Sequence, residues 1–130
     1  MIELRNITKS YDGLEVLRGI NLDISRSEIV AITGPSGAGK TTLLQIMGSL
    51  DRPDTGSVAF GGTSIQELSD KRLAQFRNRN IGFVFQFHQL LPEFTLEENV
   101  MLPALIGGMS RRQAMARAGE LIGYLGLTER

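Results

Sequence analysis

The stretch GPSGAGKT, residues 34–41, decides how the rest of the chain is read. It fills the pattern G-x-x-x-x-G-K-[ST] at every constrained position. It lies between an apolar run, Glu28 to Thr33, and a segment of helical spacing, Thr41 to Leu50. Strand, glycine-rich loop and helix in that order form the setting in which the pattern has a mechanical meaning. Gly34, Gly37 and Gly39 permit positive φ and carry no Cβ, so the backbone N–H groups that follow Pro35, from Ser36 through Ala38 to Thr42, can converge on phosphate oxygens. The helix start adds its partial positive charge. Lys40 offers a compact cation to β- and γ-phosphates, and the Thr41 hydroxyl suits a magnesium ligand. A chance glycine-rich loop has little room to meet all of these conditions at once. The reading is a site for a nucleoside triphosphate with Mg2+.

Outward from the loop, residues 2 to 24 read as β structure, with Asp12-Gly13 as a turn and Ile20, Leu22 and Ile24 alternating with polar residues. The run Glu28 to Thr33 predicts a strand buried on both faces of a parallel sheet, and Ile81 to Phe85 predicts another. Leu43, Leu44, Met47 and Leu50 define the expected buried face of the helix after the loop. Pro53 to Gly56 is a turn and Ser57 to Phe60 a short strand. Ser69 caps a helix reaching about Arg79, with Leu68 and Leu73 as its hydrophobic staple. Thr95 with Glu98, and Ser110 with Gln113, spell two capping boxes. In the second helix Met115, Ala118, Leu121, Ile122 and Leu125 form the predicted apolar stripe, and Gly126 stops it.

Composition sets the outer limits. At 130 residues and 42% hydrophobic content the chain can build a real core, and its formal net charge of zero gives no global field for nucleic acid or an anionic membrane. The arginines at 72–79 and 111–117 read as solvated helix faces. With no cysteine there are no disulfides or thiolate metal sites. No stretch is long and apolar enough to span a bilayer, and the N-terminus lacks the apolar centre of a signal peptide. The expectation is a soluble, cytoplasmic chain that meets a membrane only through a partner.

The phosphate loop alone does not select among NTPases. No N-K-x-D guanine-reading motif occurs, which argues against a GTPase, and a small-molecule kinase has no need of the β-rich segment ahead of the loop. Together the pieces resemble the nucleotide-binding domain of ATP-binding cassette (ABC) transporters. By that resemblance Tyr11, otherwise a plain strand-end tyrosine, stacks on adenine, and Val16 is a candidate apolar wall near the ribose and base. Gln86, otherwise a solvated strand-end glutamine, takes the place of the family's Q-loop glutamine, a second magnesium ligand that also senses the attacking water. The loop after it faces a membrane-embedded partner. The run from Phe85 to Thr95 with Glu98-Asn99-Val100, the phrase LRGINLDI and the phrase MLPALIGG look like the lipoprotein-releasing branch. Macrolide-exporter-type and cell-division ATPases are its nearest relatives. His88 marks that branch and faces the partner, or is an exposed or structurally bonded histidine.

The resemblance implies an α/β P-loop NTPase of the ABC type, and covers residues 1–130 as the N-terminal part of one domain. Its antiparallel β-subdomain takes about 1–27 and 57–64, and its partial parallel core about 28–52 and 65–86. The Q-loop and the start of the helical subdomain take 87–130. The signature L-S-G-G-Q, a Walker B aspartate with the catalytic glutamate, and the switch histidine are not among these residues. The chain is therefore read as truncated, and inactive in hydrolysis by itself. The implied intact protein is an ATPase that binds Mg-ATP, pairs as a homodimer and docks a permease through residues 86–105. It works at the cytoplasmic face of the bacterial inner membrane, with lipoprotein release as the leading function. An exporter or cell-division ATPase is the alternative, and a soluble ATPase acting on DNA or ribosomes is a more distant one.

Overall fold

Asp12 and Gly13 both take positive φ, 49° and 82°, the geometry of a two-residue turn whose twist matches that of the strands it joins. The computed structural model describes residues 1–87 and 89–128. In it the turn connects β1 (Ile2–Tyr11) to β2 (Leu14–Ile24) in an antiparallel hairpin, with Ile2 opposite Ile24 and Tyr11 opposite Leu14. Strand β3 (Thr55–Phe60) pairs with the other edge of β1, and the two-residue β4 (Thr63–Ser64) pairs with β3. The sheet order is β2-β1-β3-β4, antiparallel throughout.

Strict alternation would put Leu4 and Ile7 on opposite faces, yet both are fully buried. The pairing of β1 with β2 shifts register between them, and Asn6 there has φ 50°. This bulge turns the strand over once and returns Ile7 to the core face. A second irregularity at Gly19 does the same between Leu17 and Ile20. The side chain of Asn21 serves both bulges: its Oδ1 accepts the Asn6 N–H at 2.9 Å and its Nδ2 donates to the Gly19 carbonyl at 3.0 Å. Gly56 crosses beside the first bulge, where a Cβ would lie 2.4 Å from the Arg5 carbonyl oxygen. Only glycine fits there.

Helix α1 (Lys40–Met47) lays Leu43, Ile46 and Met47 against Leu4, Ile7, Leu17 and Val58 of the sheet. The buried face differs from the expected one: Ile46 belongs to it, whereas Leu44 and Leu50 are exposed. Burying each such side chain contributes about 1.5–3 kcal/mol. The helix ends with the N–H of Leu50 on the Gln45 carbonyl and that of Ser49 on the Ile46 carbonyl. Ser49 takes the left-handed conformation (φ 58°) that glycine usually occupies in such a cap. Helix α2 (Asp70–Asn80) starts after Ser69, whose carbonyl accepts the Leu73 N–H. Arg77 Nη1 donates to the Ser49 carbonyl at 2.6 Å, fastening α2 to the end of α1.

Two expected strands are absent. Glu28 to Thr33 joins no β-ladder among the described residues; Ile29 is 98% exposed, and Ile32 alone reaches the core as a partly buried side chain. Ile81 to Phe85 likewise forms no ladder, and Val84 is fully exposed. An apolar run becomes a buried strand only beside partner strands on both edges, and the described residues supply none.

By contact the chain divides into Met1–Arg77 and Asn78–Arg130. In the second unit α3 (Leu96–Ile106) and α4 (Arg111–Tyr124) pack through Met101, Ala114 and Ala118, with Ile122 also buried. Both helices start with complete capping boxes, Thr95 with Glu98 and Ser110 with Gln113. The buried face of α4 is again rotated from expectation, with Ala114 on it and Met115, Leu121 and Leu125 exposed. Gly126 ends α4 at φ 67°, with the Leu127 N–H on the Ile122 carbonyl. Helix α3 runs through Pro103, whose carbonyl accepts from Asn78 Nδ2 at 2.9 Å.

Candidate phosphate and base pocket

The loop at 34–39 is shaped by its own glycines and by β2. Gly39 has φ 82°, and a Cβ on it would lie 2.8 Å from Leu17 Cδ2, 2.9 Å from Val16 Cγ1 and 3.0 Å from the Val16 carbonyl oxygen. Both the backbone angle and the space therefore require glycine. Because Gly39 is also the N-cap of α1, no side chain takes up the N–H groups of the first turn. The earliest of the helix's backbone bonds runs from Leu43 to the Gly39 carbonyl. Lys40 Nζ folds back over the loop and donates to the Gly34 carbonyl at 2.9 Å and the Pro35 carbonyl at 2.6 Å. A cation and a row of uncapped amides thus share one end of α1, the arrangement that attracts an anion.

A cavity of about 340 Å³ opens there, lined by Tyr11, Val16, Ser36, Gly37, Gly39, Lys40, Thr41 and Thr42. All eight belong to the set singled out from sequence. Gly34, Pro35 and Ala38 complete the loop behind the wall, with the Ala38 N–H on the Pro35 carbonyl. The hairpin brings in the two remote members: the strand-end Tyr11, and Val16 just past the turn.

Tyr11 is 42% exposed, but its hydroxyl is held, donating to Asp51 Oδ2 at 2.6 Å. Lys9 Nζ lies 5.2 Å from the centroid of its ring and donates to Asp51 Oδ1 at 3.2 Å and to the Arg52 carbonyl at 2.7 Å. Burial pushes the Asp51 carboxyl up, but the Tyr11 hydroxyl, the Arg52 N–H and Lys9 outweigh it and hold it below its ordinary value. The bond to Asp51 and burial in turn hold the Tyr11 phenol above its ordinary value, against the opposing pull of Lys9. Lys9 and Asp51 carry no motif in the sequence. Only the β1 register and the end of α1 bring them to Tyr11.

Gln86 lies in the second unit, exposed on a bend after the 81–85 segment. His88 lies outside the described residues. The loop that follows is fastened to α3 by Asn99, whose Oδ1 accepts the Leu91 N–H while its Nδ2 donates to the carbonyls of Leu91, Phe94 and Thr95 at 2.9–3.1 Å. Phe87, Leu90, Leu91 and Phe94 on this loop are exposed. Among the described residues no group of three or more acidic or histidine side chains could hold a metal by itself, and no helix is long and apolar enough to cross a membrane.

Comparison with known proteins follows the same lines. The family described as ABC transporter matches residues 17–130. The lipoprotein-releasing system ATP-binding protein LolD of Bacteroides thetaiotaomicron is 62% identical over the whole chain, and that of Porphyromonas gingivalis 56%. The chain spans about 60% of the length of these curated relatives. Among solved structures, the dimeric ATP-binding cassette MJ0796 bound to ADP and Pi superimposes with a TM-score of 0.85. It shares 39% identity, over 95% of this chain and 56% of that one.

Proposed function

The chain belongs to the ABC transporter family, and from that membership we propose that it binds Mg-ATP as the energy-coupling subunit of a lipoprotein-releasing transporter. The observation that carries the reading is the pocket in which Lys40, the uncapped start of α1 and Tyr11 converge. Lys40 exchanges its bonds to the Gly34 and Pro35 carbonyls for the β- and γ-phosphates, while the amides from Ser36 to Thr42 hold phosphate oxygens. Tyr11 stacks on adenine and Val16 forms an apolar wall beside the ribose and base.

The donor set fits magnesium held mainly by phosphate. Thr41, on the pocket wall, offers a hydroxyl, with phosphate and water as the other ligands; by the family resemblance Gln86 would add a neutral amide oxygen. When bound, that ion neutralises charge on the transferring phosphoryl group.

The partner reading rests on the 86–105 region. Its exposed Phe87, Leu90, Leu91 and Phe94 sit on a loop fixed to α3 by Asn99, which suits docking of a permease at the cytoplasmic face of the inner membrane. Likeness to LolD favours lipoprotein release over an exporter or cell-division role, and the dimeric state of MJ0796 supports a homodimer of the intact protein. No L-S-G-G-Q stretch occurs among the 130 residues, so binding and not hydrolysis is the activity assigned to them. Lys40→Ala is expected to abolish Mg-ATP binding in calorimetric titration; unchanged affinity would defeat the assignment.

A further inference from the structure

Tyr11 has more holding it than a strand-end tyrosine needs. Asp51 divides its two oxygens: Oδ1 accepts the Arg52 N–H at 2.7 Å and Lys9 Nζ at 3.2 Å, which leaves Oδ2 for the Tyr11 hydroxyl at 2.6 Å. Lys9 Nζ lies over the ring, 5.2 Å from its centroid, while Tyr11 itself lines the cavity. Asp51 is itself anchored, because its N–H and that of Leu50 both reach the Gln45 carbonyl in the cap that ends α1. One short helix therefore carries the uncapped amides at its start and the anchor of the aromatic ring at its end.

We propose that Asp51 is a positioning residue for nucleotide base binding, fixing the Tyr11 ring as a flat platform at a set distance from the phosphate loop. The inference rests on the reading that Tyr11 stacks on adenine. An exposed tyrosine held only by its backbone spreads over several rotamers, and stacking then costs the entropy of choosing one. A charge-assisted bond at the far end of the ring, with a cation against one face, removes that choice in advance. The chemistry recognised is a purine base on a triphosphate, and the contribution of Asp51 falls on the base alone.

The test compares the affinity of the purified protein for Mg-ATP with that for magnesium tripolyphosphate, which has the phosphates and no base. Asp51→Ala and Tyr11→Phe remove the bond from opposite ends. Each is expected to weaken Mg-ATP about three- to tenfold and to leave tripolyphosphate unchanged, with the double variant no worse than either single one. If both variants bind Mg-ATP like the parent while Tyr11→Ala weakens it, stacking stands and the positioning role of Asp51 is overturned. If Tyr11→Ala leaves Mg-ATP untouched, the stacking reading fails and the inference with it. Should Asp51→Ala lose tripolyphosphate too, its effect is on the fold; Tyr11→Phe, which leaves Asp51 in place, then decides.

Discussion

Replacing Gly39 with alanine tests how the phosphate loop rests on β2. Two costs add in this variant. A residue with a Cβ held at φ 82° loses about 1–2 kcal/mol. The Cβ also meets Leu17 Cδ2 at 2.8 Å, Val16 Cγ1 at 2.9 Å and the Val16 carbonyl at 3.0 Å. The two methyls can rotate aside, but the carbonyl belongs to the β2 backbone, and overpacking of this kind costs about 1–3 kcal/mol. The sum, about 2–5 kcal/mol, is a large part of a typical domain's stability. Gly13 supplies the control, since it has the same φ of 82° with nothing within 4 Å of a Cβ. Gly13→Ala therefore carries the backbone cost alone. In urea unfolding at matched slope, the Gly39→Ala midpoint should fall below that of Gly13→Ala by on the order of 1 M. Coincident midpoints would show that Gly39 does not bear on β2, and the account of how the loop is seated would be wrong.

Two further outcomes follow from the bond between Tyr11 and Asp51. Asp51 is held below its ordinary value, so the stability it contributes is present above about pH 4 and fades as pH falls through its lowered folded value. Tyr11 is held above its ordinary value, so its contribution is present below about pH 10 and is lost as pH rises through the raised one. Melting temperatures followed across pH should lose part of the acid limb in Asp51→Ala and part of the alkaline limb in Tyr11→Phe; unaltered limbs would contradict the pairing. Met101 is 1% exposed in a core of its own with Ala114 and Ala118. Met101→Ala should cost about 2–5 kcal/mol and strip hydrogen-exchange protection from α3 and α4, while the β1–β2 hairpin keeps its own.

What the sequence made legible is what local rules govern. The hairpin turn at Asp12-Gly13, the capping boxes at Thr95 and Ser110 and the stop at Gly126 each depend on a few neighbouring residues, and each stands in the structure as read. Six of the eight residues lining the pocket lie in or beside the loop pattern, which dictates its own geometry, whereas Tyr11 and Val16 were named only through the family resemblance. Properties that depend on a distant partner were misread. The runs at 28–33 and 81–85 have strand composition, but a strand is defined by its neighbours, and none pairs with them among the described residues. Helical periodicity gave the period in α1 and α4 but not the phase: in α4 the interface uses small Ala114 and Ala118, while the eye falls on Met115 and Leu121. The Asn6 bulge went unread because it shows only as Leu4 and Ile7 sharing a face. Asp51 had no signal at all, being 40 positions from the tyrosine it holds.

The irregularities of the sheet also bear on self-association. A long, flat, exposed strand edge offers a row of free N–H and C=O groups on which another chain can add a strand, the first step of aggregation. This sheet has two outer strands. One is β4, only two residues long. The other is β2, broken by the distortion at Gly19 and carrying an exposed ion pair, Arg18 with Glu15 at 3.2 Å. Neither side gives an incoming strand a straight run to copy, so the kinks that keep the core face apolar also make the sheet a poor template for fibrils.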